Sequence, residues 1–142
     1  MIGIDTSVLI AFEDKDHSEH SRIVQLIRRQ LKRRERLVLS PQVLTEFVHV
    51  ITDGGRFPKP LTMVQALARA EWWRAVRECR WLFPNDASIE LFLEWMATHR
   101  LGRKRVLDTM LAATYASQGV SKIATLNVDD FLLFDRFDFV GT

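Results

Sequence analysis

Short unbroken apolar runs alternate along this chain with longer stretches where apolar residues recur every third or fourth position. Ile2 to Ile4 are apolar and close on Asp5, which predicts a buried strand followed by a short helix through residues 8–12, with Thr6 or Ser7 as its N-cap. Residues 18–36 read as a helix: Ile23, Leu26, Ile27 and Leu31 share one face, and basic residues fill the other. Residues 36–40 form a second strand. Ser40-Pro41 then opens a helix carrying Val43, Phe47, Val48 and Ile51 on one stripe, with Gly54-Gly55 as its stop. A loop with two prolines leads to a helix over residues 62–78, capped by Thr62. Residues 81–83 predict a third strand, and residues 85–99 a helix capped by Asn85, Asp86 or Ser88. A basic loop over 101–105 precedes a helix over 106–118 that ends at Gly119. Residues 122–125 and 137–140 give a fourth and a fifth strand. Strands that alternate with helices predict an α/β fold with a parallel sheet covered on both faces. With no internal repeat and no second compositional zone, residues 1–142 read as one domain.

Composition narrows this picture without redirecting it. The 142 residues are 47% hydrophobic and 27% charged, as in an ordinary globular domain. A net charge of +2 does not by itself argue for nucleic acid. The lone cysteine, Cys79, forms no internal disulfide and fits a reducing compartment. The first apolar run is short, lacks a basic leader and is broken by Asp5, so neither a signal peptide nor a membrane span is expected, and the expected location is cytoplasmic.

The candidate chemistry lies in the acids. Ligands of parallel α/β sheets bind outside the carboxyl ends of the strands. Asp5 closes the first strand, and Asp129 and Asp130 follow the fourth. Glu46 lies within two turns of the start of the helix launched from the second strand, and Asp108 is three residues into its own. Glu46 borders an apolar stripe, and Asp108 shares a side with Ala112 and Tyr115. A carboxylate drawn towards a core must be paired, hydrogen-bonded or metal-bound. Each acid alone has a plainer reading: Asp5 a helix cap, Glu46 a half-exposed helix residue, Asp108 an anion at a helix start, Asp129-Asp130 a turn. Together, four acids at one sheet edge suit a hard divalent cation.

Four stretches carry a resemblance. Ile4 to Leu9 (IDTSVL), Ser40 to Phe47 (SPQVLTEF), Asp108 to Thr114 (DTMLAAT) and Thr125 to Phe131 (TLNVDDF) resemble, in order, the signature stretches of PIN domains, and the chain looks most like the VapC type, the toxin half of VapBC toxin–antitoxin pairs. The resemblance implies a Rossmann-like three-layer α/β/α sandwich around about five short parallel strands. It implies an endoribonuclease using Mg²⁺ or Mn²⁺, and it carries the metal and catalytic roles onto Asp5, Glu46 and Asp108. The fourth position stays open between Asp130, which we favour, and Asn127 as a polar helper. Thr6 and Thr125 are accessory candidates. RNA is the implied substrate, a VapB-type antitoxin the implied partner and a homodimer the implied assembly.

Other features weigh less. Arg103, Lys104 and Arg105 lead into Asp108 and are candidate RNA contacts. Six basic residues in nine between Arg28 and Arg36 read first as a solvated helix face. His17 and His20 stand at i, i+3 without further ligands, so a surface role outweighs a metal site. The four tryptophans are better core or interface residues than base-stacking platforms. Two rival functions remain. One is a PIN-like protein that binds RNA or a partner without cutting. The other is an α/β phosphotransfer enzyme, against which stands Ser7 where a DxD pattern needs a second acid.

Overall fold

In a computed structural model, which describes residues 1–141, five parallel strands form one sheet. The chain runs β1 (Ile2–Ile4), α1 (Thr6–Glu13), α2 (His20–Lys32), β2 (Leu37–Leu39), α3 (Pro41–Ile51), α4 (Met63–Ala75), β3 (Cys79–Trp81), α5 (Asp86–Thr98), α6 (Val106–Ser117), β4 (Lys122–Ala124), α7 (Asp129–Leu132) and β5 (Asp138–Phe139), with one 3₁₀ turn at Arg103–Arg105. Strand order is β3-β2-β1-β4-β5. Successive crossovers therefore step one way from β1 to β3, then jump back to β4 and step the other way. Right-handed connections put the helices of the two halves on opposite faces. Consistent with that, α1 packs on α2 and α3, α3 on α4, α5 on α6, and α6 on α7. The three-layer α/β/α fold is as the sequence leads one to expect.

Several element ends differ from the sequence reading, each for a local reason. The third strand is Cys79–Trp81, two residues earlier than the apolar run 81–83, because it pairs Leu37 with Cys79 and Leu39 with Trp81. The preceding helix stops at Ala75, where Val76 turns extended, and not at residue 78. Helix α2 ends at Lys32, since Arg34 adopts a left-handed φ of 60°. Helix α3 ends ahead of Gly54-Gly55: Thr52 is its C-cap, and the Thr52 hydroxyl donates to the Val48 carbonyl. Neither Thr6 nor Ser7 caps α1; the N-cap position is Asp5 itself. The short helix α7 was not anticipated. Thr62 and Asn85 do cap their helices, each in a reciprocal capping box.

Two features position the carboxyl end of the sheet. Strands β1 and β4 pair over three registers, from Ile2 with Lys122 to Ile4 with Ala124, and the Asp5 amide continues the ladder to the Ala124 carbonyl at 3.1 Å. Strands β1 and β2 pair over two registers, Ile2 with Leu37 and Gly3 with Val38, and no further. Beyond that point Tyr115, fully buried on α6, serves as the donor: its hydroxyl reaches the Ile4 carbonyl at 2.8 Å and the Val38 carbonyl at 3.1 Å. The ring lies so close beneath β1 that a Cβ on Gly3 would stand 2.6 Å from Tyr115 Cδ2. Glycine is required there for close approach.

Replacing Gly3 by alanine therefore forces Tyr115 or β1 to shift. The expected cost is about 1–3 kcal/mol, the usual range for overpacking a core, which for a chain of this size lowers Tm by roughly 3–10 °C. A melting curve for Gly3→Ala that superimposes on the parent would contradict the close contact.

Candidate active site

The order β3-β2-β1-β4-β5 reverses direction between β1 and β4, the point at which open α/β sheets leave a crevice at their carboxyl ends. Asp5 leaves β1 there, and Thr125 leaves β4 beside it. Asp5 is 5% exposed. Its Oδ2 accepts hydrogen bonds from the Ser7 hydroxyl at 2.6 Å and from the Thr125 hydroxyl at 2.8 Å. Both hydroxyls are themselves held by the loop after β4: the Leu126 amide donates to Ser7 Oγ at 3.0 Å, and the Asn127 amide donates to Thr125 Oγ1 at 2.9 Å. The β4 loop thus reaches Asp5 through two relays in which each hydroxyl accepts from backbone and donates to the carboxylate.

The neighbouring Thr6 serves a second acid. Its hydroxyl donates to Glu46 Oε2 at 2.9 Å, and Gln42, one turn earlier on α3, stands 3.4 Å from Glu46 Oε1. The same Gln42 amide donates to the Leu107 carbonyl at 2.6 Å and ties α3 to the start of α6. Asp108 is half-buried on the next residue. Asp130, at the start of α7, is 37% exposed and lies 3.8 Å from Arg105, which also donates to the Asp130 carbonyl. Asp129 and Asn127 are exposed.

The electrostatics bind these residues into one cluster. Burial pushes the Asp5 carboxyl above the ordinary Asp value of 3.8; the hydroxyls of Ser7 and Thr125 and the Thr6 amide pull it back, and Glu46 raises it again. Asp108 is pushed up to about 6, first by burial and then by Asp5, Asp130 and Glu46, with Arg105 opposing. The other three sequence-predicted acids therefore all act on the Asp108 carboxyl. Among the described residues, no three His, Cys, Asp or Glu side chains stand as a preassembled metal-binding group. The acids interact through space, and Glu46 and Asp130 are each held by a neighbour. The donors on offer are carboxylate and hydroxyl oxygens, which fit a hard divalent cation and would not select a soft one.

Some expectations find different uses in the structure. Arg105 is occupied with Asp130, whereas Arg103 and Lys104 are exposed and make no hydrogen bond or ion pair among the described residues. His17 Nδ1 accepts from the Glu19 amide, and His20 Nδ1 pairs with the Ala11 carbonyl, so both have local partners. Trp73 and Trp95 are buried, while Trp72 is 45% exposed. Sequence reasoning gives Ser7, Gln42 and Tyr115 no part in the site: Ser7 reads as a helix cap, and Tyr115 only as a neighbour of Asp108 on its helix. Tyr115 had a signal: it is the lone tyrosine, seven residues after Asp108 on the same helical face.

The family model described as PIN domain matches residues 2–140. The chain is 27% identical over 136 residues to Ribonuclease VapC24 of Mycobacterium tuberculosis, covering 94% of this chain and 91% of that one. Its fold is similar to that of Mycobacterium tuberculosis VapC20, a Sarcin-Ricin loop cleaving toxin, with TM-score 0.72 at 17% identity over 94% of this chain and 95% of the other. FitAcB from Neisseria gonorrhoeae gives TM-score 0.71 at 19% identity over 99% and 98% of the two chains. VapBC-1 from nontypeable Haemophilus influenzae gives 0.69 at 19% over 98% and 96%. At those identities the three structures speak for the fold alone.

The crowding of acids has a thermodynamic signature. Asp108 holds its proton up to about pH 6 in the folded chain and only to about 3.8 when unfolded. Over that window the folded state binds more protons, so the stability present below about pH 4 is lost as pH rises through 6. In chelator at pH 7.5, Asp108→Asn is therefore expected to melt above the parent. Discounted for partial exposure, the gain is about 1 kcal/mol, or roughly 2–4 °C in Tm, and it should vanish at pH 4. A variant that melts lower at pH 7.5 would show that the carboxylate is not under electrostatic strain.

Proposed function

The chain belongs to the PIN-domain family, and from that premise we propose that it is a Mg²⁺- or Mn²⁺-dependent endoribonuclease, the toxin half of a VapBC-type pair. The observation that carries this reading is that Asp5, Glu46 and Asp130 all act on the Asp108 carboxyl at one crevice. Such a concentration of like charge is costly without a counter-cation and useful with one. The name of the relative Ribonuclease VapC24 supports the substrate class.

In this reading Asp5 and Asp108 hold the cation directly, while Glu46 and Asp130 hold or orient the remaining shell. A divalent ion bound there supplies Lewis-acid polarisation of a phosphate oxygen and eases deprotonation of water. The chain's own residues do the rest. Ser7 and Thr125 fix the rotamer of Asp5. Thr6 and Gln42 aim Glu46, and Arg105 holds Asp130 and its backbone. Arg103 and Lys104, free of protein partners, receive phosphates of the RNA backbone.

The proposed protein partners are a VapB-type antitoxin and a second copy of the chain, with action in the cytoplasm. Self-association is supported by the outer face of α4, where Val64 is 79%, Leu67 49% and Trp72 45% exposed. Among the described residues, no helix is long and apolar enough to cross a membrane.

Two measurements test the reading. Purified protein is expected to cut RNA in Mg²⁺ or Mn²⁺ and to stop in excess EDTA. Asp5→Asn should lose at least about 100-fold in rate, as expected when an electrostatic contact to the reacting centre is removed, while staying folded. Asp130→Asn should lose more than Asn127→Ala, and Asp129→Asn should be close to the parent. A folded Asp5→Asn protein that cuts at the parent rate sinks the proposal. Separately, light scattering at micromolar concentration should give twice the monomer mass; a monomer would remove the dimer from this picture and leave the chemistry standing.

A further inference from the structure

Beside the acids, a cleft of about 700 Å³ opens between α3 and the segment that leads into α6. Along α3 its lining passes from Glu46 to His49 and Val50, about one 5.4 Å turn further on, and then to Arg56 past the helix end. Across from them stand Arg103, Lys104, Leu107 and Asp108. The volume lies within the range of small-ligand pockets, about 300–1,000 Å³, and has room for a nucleotide.

The chemistry of this lining is mixed in a specific way. His49 makes no side-chain hydrogen bond or ion pair among the described residues, and neither do Arg103 and Lys104. Arg56 has only a loose, solvent-exposed pairing with Asp53 at 3.6 Å. Leu107 is 58% exposed immediately before Asp108. A single exposed leucine is ordinarily unremarkable. This one has its backbone held against α3, because Gln42 donates to its carbonyl at 2.6 Å. It is a fixed apolar ledge beside a carboxylate cluster, with Val50 half-buried in the same wall and cations around it.

An unpaired nucleotide satisfies each of these groups at once. A base presents an apolar face whatever its identity, its edge offers donors and acceptors, and the phosphates that flank it need cations. We propose that this cleft is the subsite for the nucleotide next to the cleaved phosphate, with the base lying on Leu107 and Val50, its edge read by His49, and its outer phosphate held by Arg56, Arg103 and Lys104. The subsite rests on the ribonuclease reading and gives it a specificity: unpaired RNA, with a preference at one nucleotide beside the cut.

The test is cleavage, in Mg²⁺, of an RNA library randomised across the cut site, by the wild-type chain and by Leu107→Ser, His49→Ala and His49→Gln. Leu107→Ser should raise KM roughly tenfold, the scale of losing about 50 Å² of buried apolar contact, with kcat within about threefold. His49→Ala should flatten the wild-type preference at that one nucleotide and leave other positions alone. His49→Gln, which keeps a donor and an acceptor, should retain part of the preference. All three should melt like the parent, since both side chains are exposed. RNA cut by both Leu107→Ser and His49→Ala with KM and preference unchanged overturns the subsite, as does a wild-type enzyme with no preference at either neighbour of the cut. A wild-type chain that cuts no RNA overturns the nuclease reading and the subsite with it, so the two failures are told apart by the wild-type lane.

Discussion

Like charges gathered at one sheet edge repel, and most of the polar contacts near Asp5 serve to hold that repulsion in a fixed geometry. Asp5 is buried beside Glu46, and Asp108 feels Asp5, Asp130 and Glu46 together. Left to relax, such side chains would swing to solvent. Three of them are held by a neutral or cationic keeper: Ser7 and Thr125 for Asp5, Thr6 and Gln42 for Glu46, Arg105 for Asp130; Asp108 has only its burial and the opposing charge of Arg105. The three consecutive residues Asp5, Thr6 and Ser7 illustrate the economy of the arrangement. The first is an acid, the second holds another acid, and the third holds the first.

These keepers depend in turn on the sheet. The Ser7 and Thr125 relays exist because β1 and β4 are neighbours in register, with Ile4 opposite Ala124, so both chains emerge at the same height. The gap that opens between β1 and β2 is closed by the Tyr115 hydroxyl, which supplies the donor that the Ile4 and Val38 carbonyls need inside the core. Tyr115 lies on the helix that carries Asp108, so the contact that seals the sheet also sets the depth of that acid. Gly3 permits the approach. Packing below the sheet edge and chemistry above it are parts of the same α6 placement.

Charge is then sorted around the crevice. Arg105 is spent internally on Asp130, while its neighbours Arg103 and Lys104 face the cleft without protein partners. Three basic residues in a row thus take two different roles, decided by which of them the 3₁₀ turn brings towards α7. The long basic run on and after α2 ends in a solvated face and a left-handed turn at Arg34, away from any of this.

Much of the molecule was legible from the chain. Apolar runs interrupted by helical periodicity gave the alternation of strands and helices, and hence a parallel sheet whose carboxyl edge is the candidate place for chemistry. The four acids stood at that edge because Asp5 follows a strand, Asp108 and Asp130 open helices, and Glu46 lies within two turns of the start of its helix, positions that local sequence determines. What it could not determine was whatever depends on partners far along the chain. The third strand sits on Cys79–Trp81 because pairing with Leu37 to Leu39 overrides the apolar run that follows. Ser7 reads as a helix cap until the Leu126 amide, 119 residues away, donates to its hydroxyl and leaves that hydroxyl to donate to Asp5. Tyr115 reads as core until its hydroxyl is found between two strands, and Gln42 as surface until Leu107 accepts from it. Periodicity and capping act over a few residues and are written locally; the direction in which a hydroxyl or amide donates is fixed only when the sheet has closed and its acceptor is in place.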